Sequence, residues 1–462
     1  MAKYKQLTDK FINDINSGKL SVGEKMPSLR KLAKQHNISV STAVRCYEEL
    51  ESQGWLVSRP QSGYFISSGS TNIQTPEWQT FTTQIQSCKR VRKKPRAQPG
   101  PLGISRMELD GKSITALDAS LRRAARKVQS KLTLYPEAQG ELTLRNALAS
   151  HFSQYGFPLG SEELVITNGC IEAVKSALKA CTEPGDTVAI SSPCYNGLLE
   201  LLSELSLNIL EIPSLNDGID LDQLEQHLIT GHISAGLFCT THMNPQGITM
   251  SMIQKKRLAY LANHFQIPMI EDDVYLELAH HQNQPLPAAY YDTEGYIIWC
   301  GSVSKSLSPS YRLGWVRPGR YFQQYLTHTA EVSTLIQYLV ADFIHSGAYT
   351  KHLRRSQYQL MLNKRDYISY LSHHLPSGSR ITQPEGGLVL WVQIPDFDAD
   401  LFGRKAFESK LCIRIGTLFT VSDRYRDCVR INIGFSMTHN VKEQLDLLIM
   451  LIDQTINANH ST

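Results

Sequence analysis

Between residues 164 and 315 five short apolar runs, each closing in small, polar or charged residues, alternate with stretches of helical periodicity. Leu164–Thr167 runs into Asn168-Gly169-Cys170-Ile171, and Thr187–Ile190 into Ser191-Ser-Pro-Cys-Tyr195. Gly236–Thr241 leads to Met243-Asn244-Pro245, and Pro268–Ile270 to Glu271-Asp272-Asp273-Val-Tyr275. The fifth run, Tyr296–Cys300, opens into Gly301-Ser302-Val-Ser304-Lys305, with Arg312 seven residues beyond the lysine. Apolar strands alternating with helices predict an α/β sheet with crossover connections. Ligands of such sheets gather outside the carboxyl ends of the strands, where all five clusters fall.

The residue types at those ends suit one chemistry. A lysine drawn partly out of water gives up its proton easily and becomes a nucleophile toward a carbonyl. Serines and an arginine around it can hold a phosphate. A glycine turn opening the helix predicted at Glu172–Ala180 presents backbone N–H groups to an anion. Taken singly, each cluster is also what a solvated loop, a common turn or a core aromatic supplies. Their joint order is more telling: glycine turn, aromatic, Asn-Pro, Asp-x-x-Tyr, Ser-x-x-Lys, then Arg.

That order resembles the fold-type-I pyridoxal phosphate enzymes, the aspartate aminotransferase superfamily. The resemblance implies a large α/β domain over about 105–345 and a small α+β domain over about 346–462. It implies that Lys305 carries pyridoxal 5'-phosphate covalently and is the catalytic residue, and that Asp272 pairs with the ring nitrogen. Asn244 and Tyr275 would bond the ring oxygen, and Tyr195 would stack on the ring. Gly169, Cys170, Ile171, Ser302, Ser304 and Arg312 would hold the phosphate. Tyr135 matches a tyrosine that reaches the phosphate of a partner subunit, so a homodimer is expected. Arg430, on the apolar run Asp427–Phe435, would clamp an amino-acid carboxylate bidentately, as lysine could not. Where relatives tend to carry Pro-Gly before that arginine, this chain has Ile415-Gly416, which leaves the substrate or effector open.

Residues 1–68 have a different pattern. Leu7, Phe11, Ile12 and Ile15 recur at helical spacing and Gly18 stops the run. Ser28 is placed to cap a second helix, and Ile38–Thr42 leads into a third that Gly54 closes. Two short strands, Trp55–Ser58 and Gly63–Ile66, complete a winged helix-turn-helix, whose third helix enters a DNA groove. The string Ser17–Ala33, its continuation Ile38–Trp55 and the wing Ser62–Phe65 resemble the amino-terminal domain of GntR-type bacterial regulators. The resemblance implies double-stranded DNA contacts by Arg30, Ser39, Ser41, Thr42 and Gly63. Arg45, on the polar face of the third helix, is added from its position. Val40 stands where the family often has arginine, a difference bearing on the operator.

Between the two lies a basic Ser/Gln/Pro-rich linker, 69–104, containing Lys89–Arg96. That run reads either as added phosphate attraction or as a solvated tether, and Trp78 and Phe81 suggest that part of the linker docks. Charge divides along the same lines. Residues 1–68 hold ten Lys/Arg against six acids, 69–104 six against one, and the remainder 31 against 36. A basic front end on an acidic body predicts a polyanion partner for the front end alone. No membrane-length apolar run, no signal-peptide core and nine cysteines without metal spacing predict a cytoplasmic protein with no metal site.

The whole arrangement resembles MocR-type regulators. The expected function is a transcription regulator whose aminotransferase-like body senses pyridoxal phosphate, or its adduct with an amino-acid or amine effector, and so modulates DNA binding. The alternative is a working aminotransferase with a secondary DNA-binding head, since every residue needed for transamination is present.

Overall fold

The computed structural model describes residues 3–21, 23–52, 54–59, 62–67, 74–87, 100–280 and 284–459. At the amino end α1 (Lys3–Asn16), α2 (Leu29–Gln35) and α3 (Val40–Ser52) precede a hairpin of β1 (Leu56–Arg59) and antiparallel β2 (Gly63–Ile66). Ser28 caps α2 by accepting the Lys31 N–H, and Gly18 leaves α1 at a positive φ of 75°. Phe11, Leu32, Ala43, Tyr47, Leu50 and Ile66 close a small core of their own. The expected winged helix-turn-helix is therefore present, with wing residues Pro60 and Gln61 outside the described residues.

The body is built on a nine-stranded sheet. Its strands are β3 (Ile85–Gln86), β4 (Val165–Thr167), β5 (Thr187–Ser192), β6 (Asn208–Leu215), β7 (Gly218–Ile219), β8 (Ala235–Phe238), β9 (Met269–Asp272), β10 (Ile297–Ser302) and β11 (Gly314–Arg317). The order is β3-β6-β5-β8-β9-β10-β11-β4, with β7 paired to β6. Strands β6, β5, β8, β9 and β10 run parallel. β11 is antiparallel to both β10 and β4, so β4 points the same way as the parallel set. The carboxyl ends of β4, β5, β8, β9 and β10 thus open on one edge. Helices cover both faces, which is why β5, β8, β9 and β10 are buried throughout.

The small domain has an antiparallel sheet of β12 (Arg380–Ile381), β13 (Val389–Gln393), β15 (Cys428–Asn432) and β14 (Arg414–Ile415), in that order. β13 begins four residues later than the apolar run Glu385–Trp391 suggested. Gly386 and Gly387 pack against His242, where a Cβ on Gly386 would fall 2.2 Å from the ring. Leu102, Tyr367, Leu390, Val429, Ile431, Leu445 and Leu448 belong to the domain's core.

Parts of the stretch expected as linker pack on the body. Residues 74–87 lie on the body: Gln74 O accepts the Ile381 N–H, Phe81 packs under Arg424, and β3 joins β6. Leu102 is wholly buried in the small-domain core, so residues 100–104, expected as linker, are part of the body. Lys89–Arg96 lie outside the described residues. The head docks through α3 on the long helix Ala348–His374, where Arg365 bonds the buried Glu51. Among the described residues no helix is long and apolar enough to cross a membrane.

Candidate functional site

The strand ends converge on one cleft of about 790 Å³, its open mouth included. Cys170, Ile171, Tyr195, Asn244, Asp272, Tyr275, Ser304, Lys305 and Arg312 all line it, from five separate stretches of chain. Sequence order says nothing of this convergence except through the sheet.

Lys305 sits on the short helix Val303–Ser306, at the end of β10, and its ammonium donates to Ser105 O at 2.7 Å. Burial, then the nearby Arg430, lower its pKa from 10.5 to about 8, although Asp272 opposes the shift. Asp272 ends β9. Burial raises its pKa, and the hydrogen bonds it accepts from the Cys170 thiol at 3.0 Å and the Val274 amide, with the charge of Lys305, offset only part of that rise. Among the described residues no cation forms an ion pair with it. A buried carboxyl facing a cleft, with Lys305 acting on it only through space, is suited to a cationic group entering that cleft.

On the opposite side, Gly169 turns the chain into the helix Cys170–Cys181 at φ +89°, a conformation open to glycine at little cost. No side chain caps that helix, leaving its first N–H groups directed at the cleft. Arg312 lies against Gly169, where a Cβ would come within 3.0 Å of Nη2, and it bonds Asn168 O at 3.3 Å. Among the described residues no acid pairs with Arg312. Helix N-terminus and unmatched guanidinium together fit a phosphate. Ser304 faces the cleft. Ser302 does not line it: buried, its hydroxyl bonds Leu313 O at 2.8 Å and accepts the Ser304 N–H at 3.0 Å. Its position gives it the work of capping the lysine's helix.

Tyr275 and Asn244 are joined, Asn244 Nδ2 donating to the phenol oxygen at 3.2 Å. Asn244 Oδ1 in turn accepts from Arg430 Nη1 at 2.9 Å. Arg430 is buried on β15; its Nη2 bonds Gly103 O, while its Nε has no hydrogen-bond partner. Burial brings its pKa down to about 10. A buried arginine bonded to an amide and a carbonyl, with no acid paired to it among the described residues, fits an incoming carboxylate.

Two expected residues stand apart. Tyr135 is 93% exposed, beside exposed Leu132 and Leu134, and takes no part in this chain's cleft. Arg45 was expected on an open DNA-facing surface. It instead stacks over Tyr4 at 4.9 Å and, with Glu48 and Glu49, lines a cleft whose other wall is His242, Thr249 and Glu385 of the body. In this arrangement Arg45 belongs to the head–body junction. Arg30, Ser41 and Gly63 are exposed, and Gly63 opens β2 at φ +98°. Ser39 accepts the Thr42 N–H at 3.1 Å and so caps α3. Val40, where the family often has arginine, is exposed.

The sequence reading missed Gly103 and Ser105, which bond Arg430 and Lys305. The signal available was Pro99-Gly-Pro-Leu-Gly103, a run suited to close backbone approach but read as linker. Cys194, Leu198 and Cys239 also line the cleft.

Residues 101–445 match the family described as aminotransferase class I and II, and residues 3–66 match the bacterial regulatory proteins of the gntR family. The chain is 29% identical over 458 residues to the HTH-type transcriptional regulator YjiR of Escherichia coli, covering 96% of this chain and 97% of that one. It is also 29% identical over 470 residues to the HTH-type regulator YdcR of the same organism, covering 99% and 100%. Among solved structures, the multiple substrate aminotransferase of Thermococcus profundus superposes with a TM-score of 0.70 at 22% identity, covering 78% of this chain and 93% of that one.

Proposed function

Because the chain belongs to the aminotransferase class I and II family and carries a gntR-family winged helix at its amino end, the MocR-type arrangement, we propose that it is a transcription regulator whose body holds pyridoxal phosphate on Lys305 and senses it, or its adduct with an amino compound. The observation that carries this reading is Lys305 itself. It is a partly buried amine with its pKa brought down to about 8, set between an acid and an arginine that form no ion pair among the described residues, the arginine at a helix N-terminus.

When bound, the cofactor supplies an aldehyde for an amine and a ring that draws electrons from the carbon beside that amine. The chain's own residues do the rest. With a pKa of about 8, roughly a tenth of Lys305 is neutral and nucleophilic at pH 7, against about a thousandth or less for an exposed lysine. Asp272 holds the ring nitrogen's proton by supplying the negative charge that its burial otherwise makes costly. Tyr275 and Asn244 fix the ring oxygen, and Tyr195 closes the ring's face. Arg312, Ser304 and the amides of Cys170 and Ile171 bind the phosphate. Arg430 orients the carboxylate of an amino-acid effector.

Arg30, Ser39, Ser41, Thr42 and Gly63 are the proposed contacts to operator DNA, with α3 in the major groove. The exposed Tyr135, Leu132 and Leu134 are the proposed contact with a second copy, whose cleft Tyr135 would complete. The second reading, a working aminotransferase, draws support from the completeness of the same site. Steady-state turnover of an amino-acid panel with keto-acid acceptors, run beside gel shifts on DNA upstream of the chain's own gene, separates the two. Cofactor-dependent specific shifts with slow or no turnover support the regulator. Fast multiple turnover without specific DNA binding would overturn it.

A further inference from the structure

Residues 100–106 run as a strap against the side chains of Arg430, Asn432 and Lys305. Asn432, two residues beyond Arg430 on β15, brackets it: Asn432 N donates to Leu102 O at 2.7 Å, Nδ2 donates to Pro101 O at 2.8 Å, and Oδ1 accepts the Arg106 N–H at 3.3 Å. Between these anchors the strap gives two backbone carbonyls to the site's cations. Gly103 O takes Arg430 Nη2, and Ser105 O takes Lys305 Nζ at 2.7 Å. The Ser105 hydroxyl adds a third contact, 2.8 Å from the Tyr275 phenol. The fit is close. A Cβ on Gly103 would lie 2.6 Å from Cys412 Sγ and 2.7 Å from the Cys412 carbonyl oxygen.

An α-amino acid brings a carboxylate, whose oxygens seek the same Arg430 that Gly103 O now occupies. We propose that Gly103–Ser105 is a built-in competitor for the effector, and that Gly103 sets the affinity of the site for amino compounds bearing an α-carboxylate by holding Arg430 until such a group displaces it. This rests on the reading of the cleft as a pyridoxal phosphate site. Gly103 O is a single neutral acceptor, whereas a carboxylate brings a negative charge and two oxygens that match the guanidinium fork. A carboxylate therefore lifts the strap from Arg430. An amine lacking it leaves Gly103 in place and has to fit beneath.

The test uses the full chain and two probes that differ only in the carboxylate: N-(5'-phosphopyridoxyl)-L-alanine and N-phosphopyridoxyl-ethylamine. Hydrogen exchange over residues 100–108 should be faster with the alanine probe than with the ethylamine probe. Gly103→Ala, whose methyl wedges the strap off Cys412, should tighten the alanine probe about 5- to 10-fold, the worth of one displaced hydrogen bond, and leave the ethylamine probe unchanged. Unchanged ethylamine binding also reports that the variant is folded. Equal exchange with the two probes, or weaker binding of the alanine probe to Gly103→Ala, overturns the proposal while leaving the cofactor reading intact. Failure of both probes to bind the unaltered chain overturns the cofactor reading, and this proposal with it.

Discussion

Arg365 Nη1 of the body reaches Glu51 Oε1 of the head at 3.1 Å, and Glu51 has no exposed surface. The same carboxylate oxygen accepts the Ser58 N–H at 3.0 Å, which ties the wing hairpin to α3. One carboxylate oxygen thus ties the wing hairpin to α3 and the head to the body.

Arg365→Ala strands a buried carboxylate, a loss of about 3 kcal/mol if the head stays docked. Undocking returns Glu51 to water and caps that loss. The expected result is a head released from the body: faster hydrogen exchange at the face where α3 meets the helix Ala348–His374, with the body's melting temperature unchanged. Unaltered exchange there would show that the pair does not hold the head.

Lys305 should set the pH dependence of cofactor capture. Its neutral form is the nucleophile, so the capture rate rises with pH and levels off above about 8. An ordinary lysine would keep accelerating past pH 10. The lowered pKa also means that the folded chain binds fewer protons than the unfolded chain between the two values. The contribution of Lys305 to the stability of the cofactor-free protein therefore rises with pH from about 8 towards 10.5, read as the difference between the parent and Lys305→Ala. Stopped-flow absorbance and denaturant titration measure the two.

Arg312→Ala removes a charged donor from the phosphate cradle. Pyridoxal phosphate affinity should fall about 10- to 100-fold, corresponding to about 1.5–3 kcal/mol for a hydrogen bond to a charged group. Pyridoxal, which lacks the phosphate, should bind the variant and the parent alike. Equal losses for both compounds would place Arg312 outside the phosphate site.

Arg430→Lys keeps the charge and loses the planar fork. Binding of amino acids to the loaded protein should weaken about 10-fold or more, while simple amines change little. Spectral titration with both classes measures the difference, and parallel losses would contradict the clamp.

The residues of this site were legible in the sequence because each stands where an apolar strand runs out, and strand ends of one sheet meet in space. Lys305, Asp272, Asn244, Tyr195 and Gly169 were found that way. Arg430 needed the second domain's strand pattern as well. What stayed hidden depends on packing between distant segments. Nothing near Gly103 in the chain announces Cys412 or Arg430 as neighbours, and the Pro/Gly run reads equally as tether and as strap. Arg45 shows a related limit: helical periodicity gives the face of α3 on which it lies, but not that the body stands beside part of that face. Ser302 was assigned by its place beside the lysine, whereas its hydroxyl is taken up by Leu313 O and the Ser304 amide.

The central claim is that the occupancy of Lys305 changes the affinity of the head for DNA. The direct measurement is the dissociation constant for operator DNA, with and without pyridoxal phosphate, in the full chain and in Lys305→Ala. A coupling of 1–3 kcal/mol predicts a cofactor-dependent change of about 5- to 150-fold in the parent chain and none in the variant. A change of equal size in Lys305→Ala, or no change in either protein, would contradict the account.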